Sequence, residues 1–218
     1  MKASIVFVRK LQTEIAKTIF SINESNRNLL EFRIFHYCRF INNCLHSFLV
    51  LQESNEQDSG KILLRTALEV SFRLEALRKR PDLLVRIARW EHNEDSKAAN
   101  SLEPKQLEST KRLMENRWKD FTDYCSEEGI DVPDAIHPLD ANAAADMCGL
   151  SLAYNVHYRV YSRFSHGAIS ALRGDWDDYG DDPFVASYCL MVAMAALENL
   201  GGHCPNKGAF ELEFLSFC

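Results

Sequence analysis

Glycine and proline are scarce in this chain, nine and six among 218 residues. So few breakers leave long stretches free to run as regular structure, and they argue against a loop-rich or collagen-like chain. No stretch of about 18 apolar residues occurs, so no membrane span is expected. The opening Met1–Lys10 segment has only a short apolar patch, too little for a secretory leader. There is no basic excess: the net charge is −6, so nothing global advertises a nucleic-acid binder, although a local patch would suffice for one. The seven cysteines are odd in number and form no tight framework, which predicts reduced thiols and a cytoplasmic protein. A glycine-rich phosphate loop, Gly-x-Ser-x-Gly, His-Glu-x-x-His and Glu-x-x-His pairs are all missing. His36 with Cys38 and Cys44 with His46 have ligand chemistry, but residues two apart on a helix point in different directions. No metal or cofactor is therefore expected.

What is present is helical periodicity. Apolar residues make up 46%, enough for a substantial core. Helices are predicted over about 4–22 and 26–51, the latter with Leu30, Ile34, Tyr37, Ile41, Leu45 and Phe48 as its stripe. The polar run 53–60 reads as a loop, followed by helices over 61–79, 82–100 and 104–128. The last of these is highly charged, with Leu107, Leu113, Trp118 and Phe121 on its apolar side. A break over 129–138 precedes a short helix at 139–148, ended by Gly149, and a longer one at 150–166. Asp182-Pro183 is a helix start, and Gly201-Gly202 ends the helix at 183–200. No strand-rich segment remains. The expectation is all-α: a single-domain antiparallel helical bundle over 1–218, with a core of about 25–200 and a tail of undefined structure at 201–218.

Three constellations carry chemistry. Tyr154, Tyr158, Ser162 and His166 stand four apart, which stacks them on one helical face. Such a row needs partners if buried, or a cleft if not. In a structural reading the tyrosines pack at a rim and His166 caps the helix before Gly167. In a functional reading His166 is a general acid/base, and Arg159 or Arg163 supplies a phosphate-binding charge. The second constellation is the ladder Arg65, Glu69 and Arg73, either a surface network or, if buried, a brace for the site helix. Around it, Lys61, Arg78, Lys79, Arg80, Arg86 and Arg89 outnumber Glu75 and Asp82: a solvated face or a phosphate-facing patch. The third is an acidic run over 174–182, in which Asp175, Asp177 and Asp178 resemble a calcium loop only weakly, because the closing glutamate is missing.

The Arg65-x-x-x-Glu69 helix followed by Tyr158-x-x-x-Ser162-x-x-x-His166-Gly167 resembles an uncharacterised family of helical bacterial proteins, over about residues 25–170. That family is in turn similar to HEPN domains, the helical domains of many toxin and antiviral ribonucleases. HEPN nucleases carry an arginine, four to six residues, then a histidine on one helix. Arg159, six residues and His166 match that pattern at its long limit, with Val160 where the family usually has a polar residue. The resemblance implies metal-independent RNA cleavage in a toxin or phage-defence setting. His166 and Arg159 would be catalytic, and Tyr158 and Ser162 would orient the imidazole or bind phosphate, with Arg163 and Tyr154 beside them. A homodimer would form one composite cleft. Two other classes stay open: a non-catalytic module binding a protein partner such as an antitoxin, and a small-ligand sensor with a cleft lined by Tyr154 and Tyr158.

Overall fold

The computed structural model describes residues 4–23, 27–101, 103–133, 137, 139–165 and 182–216, without the side chains of Gln57, Pro104 and Lys105. The described residues are helical throughout, joined by turns and short loops, with no strand among them. Helix α1 spans Ile5–Ser21, with the Ser4 hydroxyl accepting from the Phe7 amide as its N-cap. Helix α2 spans Leu29–Glu53 and starts on Asn28, whose side chain accepts from the Glu31 amide at 2.9 Å. Helix α3 spans Gln57–Lys79. A 3₁₀ turn at Pro81–Leu83 leads into α4, Leu84–Ala99, and α5 covers Pro104–Glu127. Next come α6, Ala141–Met147, and the single turn α7, Ser151–Ala153. A π turn at Tyr154–Tyr158 separates α7 from α8, Arg159–Ser165. The chain closes with α9, Asp182–Asn199, and α10, Lys207–Leu215.

The core sits around α9. Val185, Ala186, Cys189, Leu190, Ala193 and Leu197 are buried on that helix, and half-buried Phe184, Tyr188, Met191 and Ala195 keep its other side apolar. A helix apolar all round belongs in the interior, and α1, α2 and α3 enclose it. Phe7, Leu11 and Ile15 of α1, Ile41, Leu45 and Phe48 of α2, and Leu64, Leu68 and Phe72 of α3 complete the core. Each such side chain contributes roughly 1.5–3 kcal/mol on removal from water. Cys38, Cys44, Cys125, Cys148, Cys189 and Cys204 are buried free thiols, and burial pushes those of Cys44 and Cys148 up to about 11. Helices α4 and α5 form a hairpin at one end, with Trp118 against His92 and Phe121. Met114, not Leu113, turns inward there, and Leu113 is exposed.

Three expectations change. Helix α3 begins at Gln57, so half of the run 53–60 is helix rather than loop; Asp58 in its first turn favours the dipole and pairs with Lys61 at 3.5 Å. The helix expected at 150–166 is not one regular α-helix, because the π turn interrupts it. The tail carries α10, held by Phe210 edge-on to Phe7 and by Phe214 stacked on Phe184. Gly202 permits that return: a Cβ there would meet Thr18 at 2.8 Å and the Leu197 carbonyl at 2.9 Å. None of the described helices is long and apolar enough to cross a membrane.

Candidate functional site

The candidate site lies where α3 meets α8. Four-residue spacing puts Lys61, Arg65, Glu69 and Arg73 on one side of α3. Gly149, at φ +74°, ends α6 and turns the chain into α7. The π turn then rotates α8 relative to α7, so that Tyr158 and Ser162 reach the α3 row. Wide turns of this kind gather at functional positions. Tyr161 enters the core instead, and its hydroxyl donates to Asp182 at 2.8 Å, tying α8 to the start of α9.

The polar contacts form a chain. Arg65 Nη2 donates to the Tyr158 hydroxyl at 3.0 Å, and Arg65 Nε donates to the Ser162 hydroxyl at 3.1 Å. The Tyr158 hydroxyl donates onward to Glu69 Oε2 at 3.1 Å. Glu69 Oε1 accepts from Arg73 Nη2 at 2.8 Å, and Arg65 lies 3.7 Å from the same carboxylate. The side chains are 25% exposed at Arg65, 18% at Glu69 and 5% at Arg73, so the ladder is mostly buried. The Arg73 guanidinium also lies 3.7 Å from the Trp90 ring centre, which explains how a cation is tolerated at that depth. Its Nε is buried without a hydrogen-bond partner among the described residues. Burial and the adjacent Glu69 carboxylate raise the Tyr158 hydroxyl above its ordinary 10.0, so it remains a donor at neutral pH. Tyr154 stacks on Tyr158 with ring centres 4.8 Å apart, and both rings pack on Phe72.

Arg65, Glu69, Arg73, Tyr158, Ser162 and Tyr154 are thus brought together. Arg159 is not part of this group. Its side chain is exposed, and it makes no hydrogen bond or ion pair among the described residues. Arg163 is exposed on the same helix. His166 and Gly167 lie outside the described residues, as do Asp175, Asp177 and Asp178 of the acidic run. The cavity beside this segment, about 300 Å³, is lined by Leu68, Leu150, Leu152, His157, Phe184 and Tyr188 among others; Tyr154 and Tyr158 are not in its wall.

The basic segment around the ladder is only partly paired with carboxylates. Arg78 makes two 2.8 Å bonds to Glu75, and Lys79 lies 3.3 Å from the same carboxylate. Burial opposes ionisation of Glu75, but these cations hold its carboxyl below the ordinary value. Arg80 pairs with Asp82, Arg86 donates to the His137 carbonyl, and Arg89 lies over Trp118.

Sequence reasoning missed Trp90, and it missed Lys61 as the first rung of the ladder, where its ammonium lies 4.5 Å from the Phe164 ring centre. Spacing alone could have added Lys61; nothing in the sequence pairs Arg73 with Trp90.

No curated protein and no solved structure matches the chain. One family model does, over residues 31–183, from the helix bearing Tyr37 to the start of α9, with the whole ladder and α8 between. On that match, the chain belongs to the family of unknown function DUF5677.

Proposed function

We propose that the chain is a metal-independent endoribonuclease of a toxin or phage-defence system, with Arg159 and His166 as its reacting pair and RNA as its substrate. The supporting observation is a division of roles on one short helix. Arg65 anchors Tyr158 and Ser162, so α8 is held without Arg159, whose guanidinium is exposed and uncommitted among the described residues. A cation left out of the fold's own ion pairs is available to a phosphate. The same proposal takes the helices as a HEPN-like bundle in one domain, in the cytoplasm.

In the reaction, the RNA 2′-oxygen bonds to the adjacent phosphorus while the bond to the 5′-oxygen breaks. The products are a 2′,3′-cyclic phosphate and a 5′-hydroxyl. The imidazole of His166 exchanges the proton that leaves the attacking oxygen or arrives on the departing one. Arg159 stabilises the charge that builds on the non-bridging oxygens. Tyr158 and Ser162 act as positioning residues.

The test is incubation of single-stranded RNA with the purified wild-type, Arg159→Ala and His166→Ala proteins in excess chelator. Cleavage by the wild type should persist, and His166→Ala should lose roughly 100-fold or more. Intact RNA with the wild type, or equal cleavage by all three, rejects the assignment. One observation favours a second reading, a non-catalytic module for a protein partner: the Tyr158 hydroxyl both accepts and donates within the fold, leaving it little for a substrate. In that case Arg159→Ala weakens capture of the partner, and no variant touches RNA.

A further inference from the structure

A cavity of about 300 Å³ opens between α3, α9 and the segment from Gly149 to the π turn. Leu68 and Val185 are its most buried walls. Its origin is local. In the single turn α7, Leu152 is 77% exposed, which leaves the small Ala153 in the cavity wall. Protein interiors seldom keep voids larger than a water molecule, and this one has room for about ten. That volume is at the lower end of the range for small-molecule sites.

The wall is mostly apolar and contains no carboxylate, lysine or arginine. Phe184 in it stacks on Phe214 and lies 6.4 Å from the ring centre of His157. The other polar side chain is Tyr188. Its hydroxyl makes no hydrogen bond among the described residues, and its oxygen is not fully enclosed. Burial, with Cys189 and Glu75 adding to it, holds that hydroxyl far above its ordinary 10.0, so it stays a donor across the physiological range. The nearby Glu75 carboxylate is committed to Arg78 and Lys79. A donor in an apolar wall without an acceptor is costly, and a ligand oxygen would satisfy it.

We propose that this cavity binds a small neutral molecule, about one ring in size, through a carbonyl or hydroxyl oxygen that accepts from Tyr188. The volume sets the size, the uncharged wall disfavours an ion, and the unused phenol selects an oxygen. Tyr154 and Tyr158 take no part, because they pack on Phe72 and Tyr158 is held by Arg65. His157 borders both the cavity and Tyr158, so an occupant bears on the turn that aims α8. The site uses neither Arg159 nor RNA, and its failure is separate from that of the ribonuclease assignment.

Ligand-detected NMR titration of the full chain tests it with three probes: acetophenone, α-methylstyrene and benzoate. The second has a methylene in place of the carbonyl oxygen, and the third carries a charge. Acetophenone should bind with a Kd on the order of 100 μM. The methylene analogue should bind roughly five- to tenfold more weakly, and benzoate not detectably. Tyr188→Phe should bring acetophenone and α-methylstyrene to the same affinity. Ala153→Leu extends a branched side chain into the space and should weaken both about tenfold or more, with unchanged helical circular dichroism. A wild type that ignores acetophenone overturns the proposal and leaves the cavity to a side chain of a protein partner. Equal wild-type affinities for acetophenone and its methylene analogue overturn it by removing Tyr188 from recognition. Binding untouched by Ala153→Leu overturns it by placing the ligand elsewhere.

Discussion

Arg33, Tyr37 and Glu91 join α2 to α4; Arg65, Glu69 and Tyr158 join α3 to the turn before α8. The residue types are the same, but the wiring differs. Glu91 takes Arg33 at 2.5 Å on one oxygen and the Tyr37 hydroxyl at 2.8 Å on the other, and among the described residues no further hydrogen-bonded side chain extends that group. Glu69 also takes a tyrosine and an arginine, Tyr158 and Arg73, yet its chain continues: Tyr158 accepts from Arg65, which reaches on to Ser162. The first cluster is a closed clamp between two long helices. The second is an open chain that runs along a short helix and fixes its direction. A closed clamp adds stability, whereas an open chain also determines where the neighbouring side chains on α8 point.

Arg73 stands between the two clusters. It bonds Glu69, and its charge is felt at Tyr37. The largest effect is therefore expected at Arg73. Arg73→Met keeps an apolar stem against Trp90 but leaves the Glu69 carboxylate short of its closest cation, at a cost of about 3 kcal/mol or more. Arg33→Met should cost less, because both side chains of that pair keep 28% of their surface in water, against 5% at Arg73. Urea denaturation of the two variants measures both. Equal losses would mean that the two clusters are the same device after all.

Alkaline pH separates the tyrosines next. Burial and the Glu91 charge push the Tyr37 hydroxyl far above its ordinary 10.0, and burial with Glu69 raises that of Tyr158. A raised folded value contributes stability that is complete below the unfolded value and declines as pH climbs past it. Stability should thus fall above pH 10, where the unfolded chain can ionise and the folded one resists. Tyr37→Phe should flatten that limb more than Tyr158→Phe, since Tyr37 is the more deeply buried. Chemical denaturation at neutral and alkaline pH for the three proteins checks it, and identical limbs would contradict the difference in burial.

Much of this was legible in the sequence because it is periodic. Helices α1, α4 and α5 lie within a residue or two of where apolar spacing and proline placed them. The ladder and the Tyr158–Ser162 step were readable because i, i+4 spacing is geometry. The π turn was not readable, since nothing in Tyr154–Tyr158 breaks an α-helical pattern. Trp90 under Arg73 and Tyr161 on Asp182 are contacts between elements, set by packing angles that spacing does not encode. Helix α10 was hidden by its length and by Gly208, although Phe210 and Phe214 carry the right step. The residue at the centre of the catalytic proposal, His166, lies outside the described residues, one position beyond the end of α8 at Ser165.

The smallest effect belongs to Ser162, and it discriminates most finely between clamp and chain. Ser162→Ala removes one acceptor from Arg65 Nε and leaves the Tyr158 bond in place, at a cost of about 1 kcal/mol. In a closed clamp such a loss would be shared across the joined helices. In an open chain it should fall on the last member, so amide exchange over Arg159–Ser165 should accelerate while α2 and α4 stay protected. Ser162→Thr keeps the hydroxyl and should restore protection. If exchange rises equally in α2, the α8 end of the chain is no freer than the α2–α4 clamp, and the exposed Arg159 owes its direction to something other than Arg65.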